Sequence, residues 1–189
     1  MRIIEVLVAA TLMSFGVPAV LAADDILDAM DQARKAYQAG DYANAKQSLD
    51  LASQLLGQKN AEAYATVLPK PLAGWTAEKA QTQSLGGVAF GASTASRQYN
   101  NANGETVEIQ ITGDSAMVAQ LAPLLANPAF AGAMGKLIRI GNLRAIQTNE
   151  GDIQMVVANK FHVMVSGSAP ANAKIAYAQA IEFGKLSKM

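Results

Sequence analysis

The sequence predicts an α+β protein, with an N-terminal helical hairpin followed by an antiparallel sheet that has helices packed on one face. Two observations carry this prediction. Apolar residues recur at helical spacing in the first third of the chain, whereas later segments alternate apolar and polar residues, as half-buried strands do. Helices and strands that occupy separate stretches of a chain are typical of the α+β class.

Four consecutive segments are predicted along the 189 residues. Residues 1–22 form a signal peptide, 23–68 the helical hairpin, 69–79 a linker, and 80–189 the α+β sheet domain. What remains after residues 1–22 has the size of a single domain.

The N-terminal segment has the layout of a secretory signal peptide. Arg2 precedes an apolar run over 6–21, and Val20 and Ala22 fit the positions before a signal peptidase cleavage site. The run is shorter than the roughly 20 apolar residues that span a bilayer, and Pro18 interrupts it. We therefore predict export to the periplasm with cleavage after Ala22, and contact with a membrane only if residues 1–22 are retained.

One residue in this segment favours an alternative. Glu5 lies at the edge of the apolar run, and "IIEVLVAA" resembles the start of a mature type IV pilin, in which a glutamate sits within an apolar helix. A pilin-like subunit would have one continuous helix from Ile3 well past Asp28, and an uncleaved membrane anchor is the other alternative.

Composition excludes several functional classes. Fifteen Lys and Arg residues balance fifteen Asp and Glu residues, so the basic excess of a nucleic-acid-binding protein is missing. The sequence contains no cysteine, which excludes disulfides, thiol catalysis and cysteine-ligated zinc.

The predicted hairpin is built from two amphipathic helices. Gly40 ends the first helix, Asp41 caps the second, and Gly57 is the expected end of the second. Their apolar stripes are Leu27, Met30, Ala33 and Tyr37 in the first helix, and Tyr42, Ala45, Leu49, Ala52 and Leu56 in the second.

The stretch "AYQAGDYANAKQSLDLASQLL" resembles one tetratricopeptide repeat, with the Gly40-Asp41-Tyr42 turn followed by small and apolar residues in the second helix. The sequence has no second copy, and a lone unit cannot build the stacked solenoid that binds peptides. Packing of the hairpin on the rest of the protein is therefore favoured. The candidate partner-binding residues are Tyr37, Tyr42 and Trp75, although Trp75 alternatively docks the proline-containing linker onto the core.

The sheet domain is predicted from its strands and turns. "ASTASRQY" and "ETVEIQI" flank the turn "NNANG", and a helical stretch follows from Asp114. Asn127-Pro128 begins a short helix through Met134. The later strands are "KLIRIG", "RAIQTN", "DIQMVVA" and "KFHVMVSG", before a final helix that carries Ile175, Ala178 and Ile181.

Catalytic motifs are missing from the sequence. His162 is the only histidine, and neither a Gly-x-Ser-x-Gly elbow nor a His-Glu-x-x-His motif occurs. Glycines 86, 87 and 91 do not follow a nucleotide-binding order, and Leu137 stands where a P-loop needs Ser or Thr. We predict a protein that is not an enzyme and needs no cofactor.

One cluster is a candidate metal site. If Asn159-Lys160 is a two-residue turn, Met155 pairs with Met164, and His162 lies on the same face. Two thioethers and an imidazole form a soft site suited to Cu(I). The alternative is that the methionines fill the core.

These observations together predict an exported, periplasmic binding or adaptor protein whose partner is a protein or a small ligand. The alternatives are a carrier of copper or of a small apolar ligand, and the pilin-like or anchored subunit. As a whole the chain resembles small secreted proteins of Gram-negative bacteria with a leader, one tetratricopeptide-like hairpin and a sheet domain. This resemblance implies no particular activity or site residue.

Overall fold

The computed structural model of the chain describes residues 24–84, 92–113 and 127–189, together with Ala116, Val118, Gln120 and Pro123. These residues form a helical pair followed by an antiparallel sheet and further helices, which confirms the predicted α+β class. The predicted signal peptide and most of the helix predicted from Asp114 lie outside the described residues.

Five helices are described. They are α1 (Asp25–Gln38), α2 (Tyr42–Ala65), α3 (Pro128–Met134), α4 (Ala171–Gln179) and α5 (Phe183–Leu186). Within the part of the chain that the structure describes, no helix combines the length and the apolar character that crossing a bilayer requires.

The eight strands form one antiparallel sheet. They are β1 (Trp75–Ala77), β2 (Gln81–Ser84), β3 (Ser93–Asn101), β4 (Thr106–Gly113), β5 (Gly135–Ile140), β6 (Leu143–Thr148), β7 (Ile153–Val157) and β8 (Phe161–Ser166). Their order is β1-β3-β4-β8-β7-β6-β5. β1 and β2 pair with the same edge of β3: β2 with residues 93–96 and β1 with residues 99–101.

Side-chain caps fix where α1 and α2 begin. The Asp24 carboxylate accepts hydrogen bonds from the backbone N–H groups of Ile26 and Leu27, at 3.2 and 3.4 Å. Asp41 accepts one from the N–H of Asn44 at 3.1 Å. Because Asp24 has extended backbone angles, α1 starts at Asp25. The part of the chain before Asp24, where the pilin-like alternative predicts a helix, lies outside the described residues.

The predicted end of the second helix at Gly57 is wrong, because α2 continues for two further turns to Ala65. Gly57 lies where α2 contacts β2, and a Cβ at this position would overlap Ser84 Oγ. Glycine here serves close packing of a helix on a strand rather than helix termination.

Three residues of the predicted linker 69–79 belong to the sheet, since β1 lies within it and pairs with the end of β3. The Tyr99 hydroxyl and the Arg97 guanidinium both donate hydrogen bonds to the carbonyl oxygen of Pro69, at 2.8 and 3.2 Å. Burial raises the pKa of Tyr99 to about 12, although the Arg97 charge acts in the opposite direction. The segment is thus held to the sheet by buried polar contacts.

The main core lies on one face of the sheet. Alternate residues of the central strands are buried there, and the end of α2, α4 and α5 cover them. The buried strand residues are Val107, Ile109 and Ile111 of β4, Ile153, Met155 and Val157 of β7, and Phe161, Val163 and Val165 of β8. Tyr64 from α2, Tyr177 from α4 and Leu186 from α5 pack in the same cluster.

A buried ion pair attaches α4 to the turn between β6 and β7. Lys174 Nζ lies 2.6 Å from Asp152 Oδ1 and also donates a 3.4 Å hydrogen bond to the carbonyl oxygen of Glu150. The side chain of Lys174 is only 3% exposed. A charge so deeply buried requires its counter-ion.

Candidate functional site

An apolar surface on one side of the α1–α2 hairpin is the most unusual feature of the molecule. Six large apolar side chains are about half exposed or more: Leu27, Met30, Tyr37, Tyr42, Leu49 and Leu56. We call these six residues the hairpin face. A protein of this size rarely leaves so many large apolar side chains together in water without a binding partner.

Helical spacing places these residues on the same side of their helices. Tyr42, Leu49 and Leu56 follow one another at intervals of seven residues in α2, and Met30 and Tyr37 are also seven apart in α1. Seven residues correspond to almost two complete turns, so each set forms a row along its helix.

The two rows meet on one side of the hairpin. The rings of Tyr37 and Tyr42 are 67% and 69% exposed, and their centroids lie 5.8 Å apart at an interplanar angle of 59°. This contact across the turn shows that the α1 and α2 rows face the same direction. The hairpin face is therefore continuous across both helices.

A seam of alanines lies between the rows. Ala29 and Ala33 of α1 and Ala45 and Ala52 of α2 are buried. Such short side chains let two helices approach closely, but they bury little apolar area. The packing of the hairpin against itself therefore leaves its large apolar side chains outside.

The opposite side of the hairpin is polar. An open groove of about 590 Å³ runs between the helices there, and its lining is mainly amide, hydroxyl and carboxylate: Gln32, Ala36, Asn44, Gln47, Ser48, Asp50, Leu51 and Gln54. This side thus carries mostly polar side chains, although the exposed Leu51 lies among them.

Trp75 is separate from the tyrosine pair. It lies in β1, is half-buried, and packs edge-on against Tyr177 with ring centroids 5.3 Å apart. Of the three residues predicted to bind a partner, the structure brings Tyr37 and Tyr42 together. Trp75 instead packs the segment 69–79 against the core.

The strand register predicted for the metal cluster is wrong. Met155 pairs with Val163, and Met164 pairs with Gln154, because the β7–β8 turn contains three residues rather than two. Ala158 and Asn159 both adopt positive φ in this turn. A shift of one residue moves side chains to the opposite face.

The three proposed metal ligands are consequently separated by the sheet. Met155 is buried in the core, and His162 and Met164 lie half-buried on the other face. Burial lowers the pKa of His162 below its ordinary value. Within residues 24–84, 92–113 and 127–189, no cluster of three His, Cys, Asp or Glu side chains suits a metal ion.

The face around His162 is rich in uncharged polar side chains. Strand pairing places Thr112 and Val156 on either side of His162, and Gln110 and Gln154 on either side of Met164. These positions are half-buried. This face offers hydrogen-bonding groups rather than an apolar binding surface.

A second open groove, of about 500 Å³, lies between the β5–β6 turn and the C-terminal helices. It is lined by Ile140, Gly141, Asn142, Leu143, Gln179, Phe183, Gly184 and Ser187. It holds no charged or buried polar group that would orient a ligand.

Leu27, Met30, Leu49 and Leu56 are the site residues that sequence reasoning missed, since their helical spacing predicted burial. One signal in the sequence bears on their exposure. The predicted resemblance to a single tetratricopeptide repeat, with no second copy in the sequence, implies that no neighbouring repeat would cover such a face.

Comparison with known proteins gives no match: no family model, no curated protein and no solved structure corresponds to this chain.

Proposed function

We propose that this is an exported, non-enzymatic binding protein that engages another protein through the hairpin face. The observation that supports this proposal is the set of large apolar side chains exposed together on one side of α1 and α2. Exposed patches of this kind mark protein interaction sites in soluble proteins. The sheet domain then acts as the scaffold that carries the hairpin.

The contacts between α2 and the sheet favour this division of roles. The second half of α2 packs on β2 and β3, and Tyr64 near its end contacts Phe161 of β8 edge-on, at a centroid distance of 5.3 Å. Residues 42–56 of α2 and the whole of α1 carry the hairpin face. A rigid attachment at one end and a free apolar surface at the other suit presentation to a partner.

Export is the second part of the proposal and rests on the sequence of residues 1–22. A periplasmic location would place the hairpin face in contact with proteins of the cell envelope. Cleavage after Ala22 leaves a chain that begins at Ala23, immediately before the Asp24 cap of α1.

Site-specific photo-crosslinking tests the proposal. The chain has no cysteine, so Ser53→Cys creates a single attachment site for a benzophenone maleimide. Ser53 is exposed between Leu49 and Leu56 in α2, beside the hairpin face. We expect ultraviolet irradiation of intact envelopes to give a discrete adduct, and the intact mass of the protein to show a chain that begins at Ala23.

Gln54→Cys provides the matched control, because Gln54 is the next residue of the same helix and lines the polar groove on the opposite side. This variant should give no adduct of the same mass. If both variants give the same products, or neither gives any, the hairpin face is not a binding surface and the proposal is wrong.

A further inference from the structure

We infer that the partner of the hairpin face is a second copy of this chain, and that two hairpins pack about a two-fold axis as a four-helix assembly. This inference rests on the proposed function, because it identifies what covers the same surface. It is carried by the area, the charge and the shape of the hairpin face.

The exposed area matches what a stable dimer needs. Tyr37 and Tyr42 are about two-thirds exposed, and the other four side chains are about half exposed. The six side chains thus expose on the order of 700 Å², close to the ~800 Å² that each partner buries in a standard interface.

The six residues of the hairpin face are themselves uncharged, which suits a second copy. Two cations of the hairpin are paired within their own helices: Arg34 lies 3.0 Å from Asp31 in α1, and Lys46 lies 2.6 Å from Asp50 in α2. Two identical faces can therefore meet without placing like charges opposite one another.

The arrangement of the two rows suits packing against an identical surface. Two rows of large side chains flank a seam of alanines, so the surface presents two ridges with a shallow groove between them. A two-fold axis places the same surface opposite itself, and a ridge of one copy then fits the groove of the other. The result is an antiparallel four-helix arrangement with large side chains in its interior.

Sedimentation equilibrium of the mature protein tests the inference. We expect the mass of a dimer for the unmodified chain. Leu49→Glu places a carboxylate at the centre of the face, twice per two-fold interface, and should raise the dimer dissociation constant at least ~100-fold. Leu49 is 55% exposed, so the substitution spares the folded chain, which far-UV circular dichroism checks.

Leu51→Glu is the matched control. Leu51 is two residues away in the same helix and is 47% exposed, but it lines the polar groove on the other side of the hairpin. This variant should remain dimeric. Met30→Glu supplies a second test from α1 and should dissociate the dimer as Leu49→Glu does.

The outcomes separate this inference from the proposed function. A Ser53→Cys adduct with twice the mass of the chain supports both. An adduct with a different protein, or a chain that stays monomeric while the face-specific adduct forms, supports the proposed function and overturns the second copy. A cross-link within one chain, or equal dissociation of the Leu49 and Leu51 variants, overturns both.

Discussion

Two lysine–aspartate ion pairs have the same nitrogen–oxygen distance but differ in their exposure to water. Lys174 and Asp152 meet at 2.6 Å in the interior, and Lys46 and Asp50 meet at 2.6 Å on the surface of α2. The lysine side chains are 3% and 76% exposed, respectively. Water screens the exposed pair, whereas the buried ammonium depends on its carboxylate.

Neutralising the acid should therefore have unequal effects. We expect Asp152→Asn to lower the free energy of unfolding by about 3 kcal/mol, because it leaves the buried Lys174 charge without a counter-ion. Asp50→Asn should lower it by less than about 1 kcal/mol. Urea denaturation of both variants measures the difference, and equal losses would show that the buried pair stabilises the protein no more than the exposed pair does.

His162 predicts a pH dependence of stability. Burial holds the pKa of His162 below its unfolded value of 6.5, so the unfolded chain binds a proton before the folded chain does. The free energy of unfolding should therefore fall as pH decreases from about 7.5 through 6.5. Since no other histidine is present, His162→Gln should remove this decrease in urea titrations. An unchanged pH profile in that variant would contradict the assignment.

At the level of elements, α2 has two different surroundings along its length. Residues 42–56 carry the exposed row of Tyr42, Leu49 and Leu56, and the remaining residues, which include the buried Gly57 and Ala61, pack on the sheet. A helix that leaves the sheet surface in this way presents apolar residues that the sheet does not reach.

The contact at Gly57 gives a prediction about helix packing. In an exposed helix, Gly→Ala stabilises by up to about 1 kcal/mol. Here the added Cβ would overlap Ser84 Oγ and lie 3.1 Å from Ser84 Cβ, so we expect Gly57→Ala to lower stability by about 1 kcal/mol instead. Thermal denaturation of Gly57→Ala, alone and with Ser84→Gly, checks this. The second substitution should recover most of the loss, and a stabilised single variant would place α2 farther from β2.

The length of the turn between β7 and β8 could not be predicted from the sequence, although its flanking strands could. The strands themselves were predictable, because Ile153, Met155 and Val157 alternate with half-buried residues. The turn length was not, since it depends on Ala158 and Asn159 adopting positive φ, which is unfavourable for alanine. One added turn residue changed the partner of Met155 and with it the whole candidate metal site.

For the whole molecule, the order of helices and strands followed from periodicity, but the shape of the sheet did not. β1 and β2 were not predicted, because segments such as Gln81–Ser84 are polar, short and lack alternation. They form strands because the edge of β3 that β4 does not occupy offers backbone hydrogen-bonding partners to both segments.

The candidate site was predictable only in part for a related reason. Periodicity identifies the apolar side of a helix, and it correctly placed Leu49 and Tyr42 in one row. Whether a row is covered depends on which elements pack there, and the hairpin closes through Ala33 and Ala45 rather than through its large residues. Which residues form the contact between α1 and α2 therefore depends on tertiary packing rather than on the periodicity of either helix.

The pairing of β4 with β8 also determines how the chain must fold. β3–β4 and β5–β8 are joined by short turns, so each unit can form from local contacts. Ile109 meets Val165 only when the ends of the entire intervening chain come together. Because closing a long loop costs entropy before any contact offsets it, we expect the pairing of β4 with β8 to form more slowly than the local contacts within each unit.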